Sequence, residues 1–126
     1  MTEPTAVRTE LAPPPAGTYE QGIRVGDLVY LSGQTPREPS GVRRGDLPLR
    51  DQARMALDNL DAVARAAGSS LAAAVKVTVF LTADADAGSF DEVYREYVGS
   101  PAPARTLVRS PLVGFDVEVD AVLYAP

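Results

Sequence analysis

The segment FDVEVDAVL, residues 115–123, alternates apolar and acidic residues from Phe115 to Ala121 and ends in the apolar pair Val122-Leu123. Successive side chains of a β-strand point to opposite faces of a sheet, so this period of two predicts a strand with one buried and one acidic face. The apolar positions are Phe115, Val117, Val119, Ala121 and Leu123, and the acidic positions are Asp116, Glu118 and Asp120. Alternation alone favours a solvated acidic face. Neighbouring like charges also repel, which favours a basic partner for one of them.

A basic partner is available in residues 105–110, where Arg105 and Arg109 share one face with Leu107 between them. We expect this segment to be a strand that lies antiparallel beside the 115–123 strand, with guanidinium and carboxylate groups at cross-strand distance. Two interpretations of such a pair stay open. It is a structural ion pair, or it is a site in which Arg105 binds a substrate carboxylate while Glu118 acts on water.

The first half of the chain divides into a hairpin, a loop and a helix. Residues 23–32 are rich in β-branched and aromatic side chains around Gly26-Asp27, which predicts a β-hairpin. Residues 33–46 contain many glycines, prolines and charges and predict a loop. Apolar residues then recur at helical spacing over residues 49–67, followed by Gly68, and predict a long amphipathic helix.

The second half begins with residues 75–81 (VKVTVFL), an almost continuous apolar run that predicts a central strand. A capping-box pattern from Ser89 to Glu92 predicts the start of a second helix, and Gly99 predicts its end. The strands over 105–110 and 115–123 follow. The complete order is therefore hairpin, helix, strand, helix, strand, strand.

This order predicts a single α+β domain over residues 1–126. Both helices are amphipathic and are expected to cover one face of a small mixed sheet. The other face then has to be buried by another molecule, and a symmetric homo-oligomer is the usual solution. Residues 1–16, with Pro4 and three prolines at 13–15, are expected to form an extended, proline-rich N-terminal arm that takes no part in strand pairing.

Composition excludes several kinds of chemistry. The chain has 126 residues with no Cys and no His, so no disulfide, Cys nucleophile, Ser-His-Asp triad or Cys/His metal site can form within it. The net charge of -5 disfavours nucleic acid as a partner. The sequence contains no signal-peptide or membrane-spanning stretch, so we expect no membrane partner and a cytoplasmic location.

A small and polar stretch, Ser32-Gly33-Gln34, ends the hairpin. Ser32 and Gln34 are candidates for hydrogen-bonding groups in a site wall, and Gly33 would let a ligand approach the backbone. Strand ends also carry such residues without a functional role. Tyr19 either anchors the arm or supplies a hydroxyl to a site, and the single lysine, Lys76, is expected to hold its amine in solvent.

Several short motifs occur together in an order typical of one family. They are Tyr19, Ser32-Gly33-Gln34, residues 75–81, residues 90–97, Pro103-Ala104-Arg105 and Val117-Glu118-Val119. With this set the chain resembles the RidA/YjgF family of reactive-intermediate deaminases over about residues 12–123. The resemblance implies a chorismate-mutase-like α+β fold and a homotrimer. In such a trimer the sheets pack into an inner barrel with three clefts between subunits.

The resemblance also implies an activity and roles for individual residues. Deaminating members hydrolyse 2-imino or enamino acids to 2-keto acids and ammonia, with no metal or organic cofactor. Arg105 matches the arginine that binds the substrate carboxylate, a group that a guanidinium binds in bidentate fashion. Glu118 matches the glutamate that holds or activates water, and Tyr19 and Ser32 match the aromatic and hydroxyl positions. Burial would raise the pKa of Glu118 and Arg105 would lower it, and the sequence leaves this balance open.

Three positions depart from the family pattern. Leu107 stands where many deaminases have Cys, Asp91 where many have Asn, and Thr18 where a rigid proline is usual. We expect Leu107 and Asp91 to contact the substrate. Two alternatives to imine deamination stay open: a different hydrolysis, tautomerisation or lyase step on a pathway intermediate, and a non-catalytic trimer that binds small carboxylates. The endoribonuclease activity sometimes attributed to the family is not expected, because the chain lacks His and a basic stripe.

Overall fold

Six β-strands and two α-helices make up the computed structural model, which describes residues 3–126. The strands are β1 (Thr5–Val7), β2 (Gly22–Val25), β3 (Leu28–Gln34), β4 (Ala74–Leu81), β5 (Ala104–Arg109) and β6 (Val117–Tyr124). The helices are α1 (Leu49–Ala66) and α2 (Ala87–Tyr94), and a 3-10 turn at Leu71–Ala73 precedes β4. The predicted mixed α+β fold is confirmed. Within residues 3–126, neither α-helix combines the length and apolar character that crossing a bilayer requires.

The strands form one sheet in the order β1-β2-β3-β6-β4-β5. All neighbours pair antiparallel except β4 and β5, which are parallel. The prediction that the strand of Arg105 lies beside the strand of Glu118 is wrong, because β4 separates β5 from β6. The physical reason is the helix between β4 and β5. Helix α2 returns the chain to the end at which β4 started, so β5 runs parallel to β4 along its outer edge, and β6 lies between β3 and β4.

Both helices pack on the same face of the sheet and bury it. On β6 the apolar side chains at alternate positions, from Val117 to Leu123, are at most 2% exposed, which confirms the alternation predicted for this strand. They share one core with Leu57 and Leu60 of α1 and Phe90 of α2. Burial of each large apolar side chain contributes about 1.5–3 kcal/mol.

No described helix covers the opposite face of the sheet. Tyr30 of β3, Val108 of β5 and Tyr124 of β6 point to this side and keep 49%, 38% and 52% of their surface exposed. Glu118 and Asp120 lie on the same face of β6. Several exposed apolar groups on one face are typical of a surface that binds another protein. We refer to this surface as the uncovered face.

The proline-rich segment at the N-terminus is partly a strand. Thr5–Val7 pairs antiparallel with β2, so the prediction of an extended arm without strand pairing is wrong for these three residues. They contain no proline and can donate their N–H groups. Further along, Gln21 holds the arm: its Oε1 accepts from Thr9 N at 2.7 Å and its Nε2 donates to the Pro13 carbonyl at 2.9 Å. Residues 1 and 2 of the predicted arm lie outside the described residues.

Helix α2 starts earlier and ends earlier than predicted. Asp86, not Ser89, caps its N-terminus, because the Asp86 carboxylate accepts hydrogen bonds from Ser89 N at 3.0 Å and from Ser89 Oγ at 2.6 Å. A carboxylate at this position also interacts favourably with the helix dipole. The helix ends at Tyr94 rather than near Gly99. Glu96 and Tyr97 donate to carbonyls three residues back, which tightens the chain into turns.

A buried glutamine connects α1 to the loop before it and to the start of β6. Gln52 is 1% exposed. Its Nε2 donates to the Leu47 carbonyl at 2.7 Å and to Asp116 Oδ2 at 3.0 Å, and its Oε1 accepts from the Asp116 backbone N–H at 2.9 Å. These bonds satisfy backbone groups that lie outside the helices and strands, and they fix where β6 begins.

We expect Gln52→Leu to destabilise the fold by about 2–4 kcal/mol, because it leaves the part-buried Asp116 N–H and Leu47 carbonyl without the partner they have in Gln52. Urea unfolding followed by circular dichroism measures the change. Asp51→Asn, at the neighbouring exposed position of α1, is the control and should cost less than about 1 kcal/mol. Equal effects of the two substitutions would contradict the structural role of the Gln52 network.

Candidate functional site

A cavity of about 380 Å³ opens where the end of β3 meets β6. Its wall contains five residues singled out in the sequence: Tyr19, Ser32, Gly33, Gln34 and Glu118. Further wall residues are Gln21, Thr35, Arg37, Arg43 and Phe115. The volume suits a small-molecule ligand. The fold therefore brings together the candidate residues of the arm, of β3 and of β6.

The Glu118 carboxylate lies against Gly33 across the β3–β6 pair. A Cβ placed on Gly33 would be 2.5 Å from Glu118 Oε2, which is too close for any real contact. From the sequence, the space beside Gly33 is expected to admit a ligand; in the structure, the side chain of Glu118 fills it. Gly33 is therefore a positioning residue for the carboxylate.

Burial raises the pKa of the Glu118 carboxyl above its ordinary value of 4.5, and the charge of Asp120 raises this pKa further. No cation of the described chain acts against these two effects on the pKa. The sequence left open whether burial or Arg105 has the larger effect on the pKa of Glu118. Within one chain, the effect of burial is the larger one. A half-buried carboxyl with a raised pKa is a stronger base than an ordinary carboxylate and is suited to take and return a proton.

Arg105 lies on the other side of the sheet from Glu118. Paired residues of neighbouring strands share a face, and Arg105 is paired with Val77 of β4, whereas Glu118 is paired with Phe80. Val77 is buried against the helices, and Phe80, three residues further along β4, points the opposite way. The ion pair between Arg105 and Glu118 that the sequence left open is therefore absent within residues 3–126.

Helix α2 holds the guanidinium of Arg105. Nη1 donates to Asp91 Oδ1 at 2.7 Å, and the guanidinium lies 4.8 Å from the centre of the Tyr94 ring in a cation–π contact. Arg95 binds the other oxygen of Asp91 at 2.9 Å. The hydrogen bonds from Arg105 and Arg95 hold the pKa of Asp91 below its ordinary value. In this structure Asp91, expected to contact substrate, is the partner of two arginines and orients Arg105.

The other predicted residues have defined neighbours. Leu107 shares the helix side of β5 with Arg105 and is half-buried against the core, so it forms no wall of the cavity within the described chain. The Tyr19 hydroxyl accepts from Ala16 N at 3.0 Å, so Tyr19 both anchors its arm and lines the cavity. Ser32 Oγ donates to the Glu20 carbonyl at 2.6 Å, and its lone pairs are free to accept a further hydrogen bond.

Arg37 and Arg43 are cavity residues that the sequence pattern assigned only to the loop of residues 33–46. A signal for them exists, since they stand two residues before and two residues after Pro39-Ser40-Gly41. A tight turn at these three residues places its flanking positions opposite each other.

Known proteins are similar to this chain in sequence and in fold. A family model described as Endoribonuclease L-PSP matches residues 9–125. A RutC family protein of Pyrococcus horikoshii is 40% identical over 120 residues, which are 92% of this chain and 94% of that protein. A Dermatophagoides farinae protein named 2-iminobutanoate/2-iminopropanoate deaminase is 38% identical over 111 residues, 86% of this chain and 84% of that protein. The crystal structure of E. coli TdcF with bound serine has a TM-score of 0.83 at 31% identity and covers 97% of this chain and 99% of that chain.

We expect Glu118→Gln to raise the melting temperature at pH 8 by roughly 2–5 °C, because the folded chain then no longer buries a charged carboxylate. The pKa of Glu118 is raised on folding. Its contribution therefore favours the folded state below about pH 4.5 and is lost as the pH rises through the raised pKa. The gain from the substitution should disappear at pH 4, and thermal unfolding at both pH values measures it.

Asp91→Asn is the control, for which we expect the opposite change in melting temperature at pH 8. The pKa of Asp91 is lowered by Arg105 and Arg95, so its ionised form stabilises the fold above about pH 3.8. This variant should therefore melt below the wild type at pH 8. A lower melting temperature of Glu118→Gln at pH 8 would contradict the first prediction and would indicate that a cation of another copy lies beside Glu118.

Proposed function

Because the chain belongs to the RidA/YjgF family, the Endoribonuclease L-PSP proteins, we propose that it hydrolyses 2-imino and enamino acids to 2-keto acids and ammonia. The observation that carries the proposal is the half-buried carboxyl of Glu118, whose pKa is raised, in a cavity of small-molecule size. The deaminase name of the D. farinae relative supports the same class of reaction.

The proposed site requires a second copy of the chain. Arg105 is on the edge strand β5, and Glu118 points to the uncovered face, so one small substrate reaches both groups only where two copies meet. We infer a homotrimer, as the family resemblance implies, whose uncovered faces pack together through exposed side chains such as Tyr30 and Tyr124. Each cleft then combines the cavity of one copy with the β5 edge of its neighbour.

Arg105 anchors the substrate. The substrate carboxylate accepts two parallel hydrogen bonds from the guanidinium, and this contact fixes the imine carbon near Glu118 of the other copy. Asp91 and Tyr94 orient the guanidinium before the substrate arrives. In this scheme Arg105 contributes binding and orientation and takes no part in proton transfer.

Glu118 acts first as base and then as acid. The ionised carboxyl takes a proton from water while the water oxygen bonds to C2 of the iminium and the electron pair of the C=N π bond moves to nitrogen. The carboxyl returns this proton to nitrogen, the C–N bond breaks with release of ammonia, and the C2 hydroxyl becomes the carbonyl as its proton passes to Glu118. Glu118 then gives this proton to the ammonia, which leaves as ammonium, and the carboxyl is ionised again. An enamine first takes a proton at C3 from the protonated carboxyl of Glu118, which gives the same iminium and leaves the carboxyl ionised. Because the imine carbon is already electrophilic, the reaction needs no metal or organic cofactor.

Arg105→Lys should lower kcat/KM for 2-iminopropanoate about 100-fold, because lysine cannot form the bidentate contact. The imine is generated from alanine with an amino-acid oxidase, and its loss is followed by trapping with semicarbazide. Arg95→Lys is the matched control, since it alters the other guanidinium bound to Asp91, and it should change the rate less than about twofold.

Unchanged activity of Arg105→Lys would overturn the anchoring role. The turnover of neutral enamines should not depend on Arg105, because these substrates have no carboxylate. Faster turnover of neutral enamines than of imino acids would therefore indicate a different reaction in the cleft. Carboxylate binding without turnover of any substrate by the folded wild type would indicate a non-catalytic binding protein.

Gly33→Ala should preserve the fold and lower the rate about 100-fold, because a Cβ at this position displaces the Glu118 carboxylate. The displaced atom is the end of a flexible side chain, so the melting temperature should change little. Gly17→Ala is the control in the same region, since its Cβ would meet the Tyr19 ring at 3.8 Å, an ordinary contact. Equal activity of Gly33→Ala and the wild type would show that the position of Glu118 does not limit the reaction.

A further inference from the structure

Two arginines of the cavity wall lie opposite each other on a short hairpin between β3 and α1. Arg37 and Arg43 form an isolated antiparallel pair. The hairpin turns through Gly41, which has a φ of 101° and donates its N–H to the Glu38 carbonyl at 2.7 Å. A positive φ of this size favours glycine. The backbone of the loop therefore fixes the two arginines as cross-strand neighbours.

The hydrogen bonds of this hairpin flank the arginine pair and do not join it. Glu38 N donates to the Val42 carbonyl at 2.8 Å, and Arg44 N donates to the Pro36 carbonyl at 2.8 Å. A pair between two such bonds is of the non-hydrogen-bonded type, in which cross-strand side chains lie closest together. Like charges directly opposite each other destabilise a strand pair. The free protein therefore places two like-charged side chains at neighbouring cross-strand positions, at a cost in stability.

No internal carboxylate offsets this cost within residues 3–126. The structure gives Arg37 and Arg43 no ion pair there, whereas the adjacent Arg44 binds Asp46 at 3.0 Å and Glu38 at 3.5 Å. Arg37 donates one hydrogen bond to the Pro14 carbonyl, which leaves most of its five N–H donors free. Arg43 is exposed. The cavity wall therefore carries two positive charges that an anion can neutralise.

We propose that Arg37 and Arg43 bind a second carboxylate of the substrate, so that the preferred substrates are imino acids of dicarboxylic amino acids. The inference rests on the proposed function for the reaction itself, in which Arg105 of a neighbouring copy binds the first carboxylate. A monocarboxylic substrate uses Arg105 and leaves the pair in the cavity wall without a partner. A cavity of about 380 Å³ that also contains Glu118 accommodates a chain of four or five carbons between the two anionic ends.

Binding of two stable keto acids of equal chain length tests the pair independently of catalysis. Isothermal titration calorimetry compares 2-oxoglutarate with 2-oxopentanoate, which lacks the distal carboxylate. The wild type should bind 2-oxoglutarate about 10- to 100-fold more tightly, as expected for charge-assisted hydrogen bonds. The double variant Arg37→Gln/Arg43→Gln should lose this preference and bind 2-oxopentanoate as the wild type does.

Arg44→Gln is the matched control, because Arg44 belongs to the same hairpin, is paired internally and does not line the cavity. It should keep the preference. Arg43→Gln alone serves if the double variant does not fold, since the structure gives the Arg43 side chain no hydrogen bond within residues 3–126. It should reduce the preference about 10-fold. Equal affinity of the wild type for the two keto acids, or equal losses for both in the double variant, would overturn the proposal.

Turnover separates this inference from the proposed function. The imines of glutamate and norvaline have the same carbon chains as 2-oxoglutarate and 2-oxopentanoate. Both imines are generated from the amino acids with amino-acid oxidases. Hydrolysis of both at equal rates by the wild type and by the double variant would leave the deaminase function intact and overturn the role of the arginine pair. If the wild type hydrolyses neither imine but still binds 2-oxoglutarate more tightly, the proposed reaction is overturned and the dicarboxylate site is supported.

Discussion

The alternation of β6 is the constraint on which the rest of the molecule depends. Its apolar side chains fill the core beneath the helices, so the acidic side chains between them face the other way. A shift of one residue in the strand register would drive Glu118 and Asp120 into the core, where unpaired charges cost several kcal/mol each. The side of the sheet on which the candidate acid–base group lies is therefore determined by the packing of its neighbours, and the close approach to Gly33 then fixes the carboxylate on that side.

The crossover through α2 determines where the second functional group lies. It carries β5 to the edge of the sheet and places Arg105 on the helix side, beside Asp91 and Tyr94. One chain thus holds a guanidinium and a carboxyl on opposite sides of a single sheet. Under the proposed function, the two groups cooperate only across a boundary between copies, so folding alone yields two half-sites.

Strong local sequence patterns were sufficient to predict much of the fold. The predicted helix over 49–67 and strand over 75–81 agree closely with Leu49–Ala66 and Ala74–Leu81, because a continuous apolar face or run leaves little choice of structure. Strand neighbours were not predictable in this way, since pairing depends on the crossover and not on either strand. Asp86 and Ser89 are both good helix caps, and the pattern cannot rank them. Arg37 and Arg43 were missed because residues 33–46 were assigned to a loop by composition alone, and the spacing of the two arginines about the turn was not used.

The contact between Asp91 and Arg105 has a further consequence, for conformational entropy. A free arginine side chain carries about 2 kcal/mol of rotamer entropy, which is lost when the side chain is immobilised. Here α2 imposes that loss when the chain folds, while Asp91 accepts a hydrogen bond from Nη1 and the remaining donors stay available. An acid that reaches the guanidinium meets a preorganised group and does not have to order it. Affinity for the acid is thus set in part by a helix that the acid never touches.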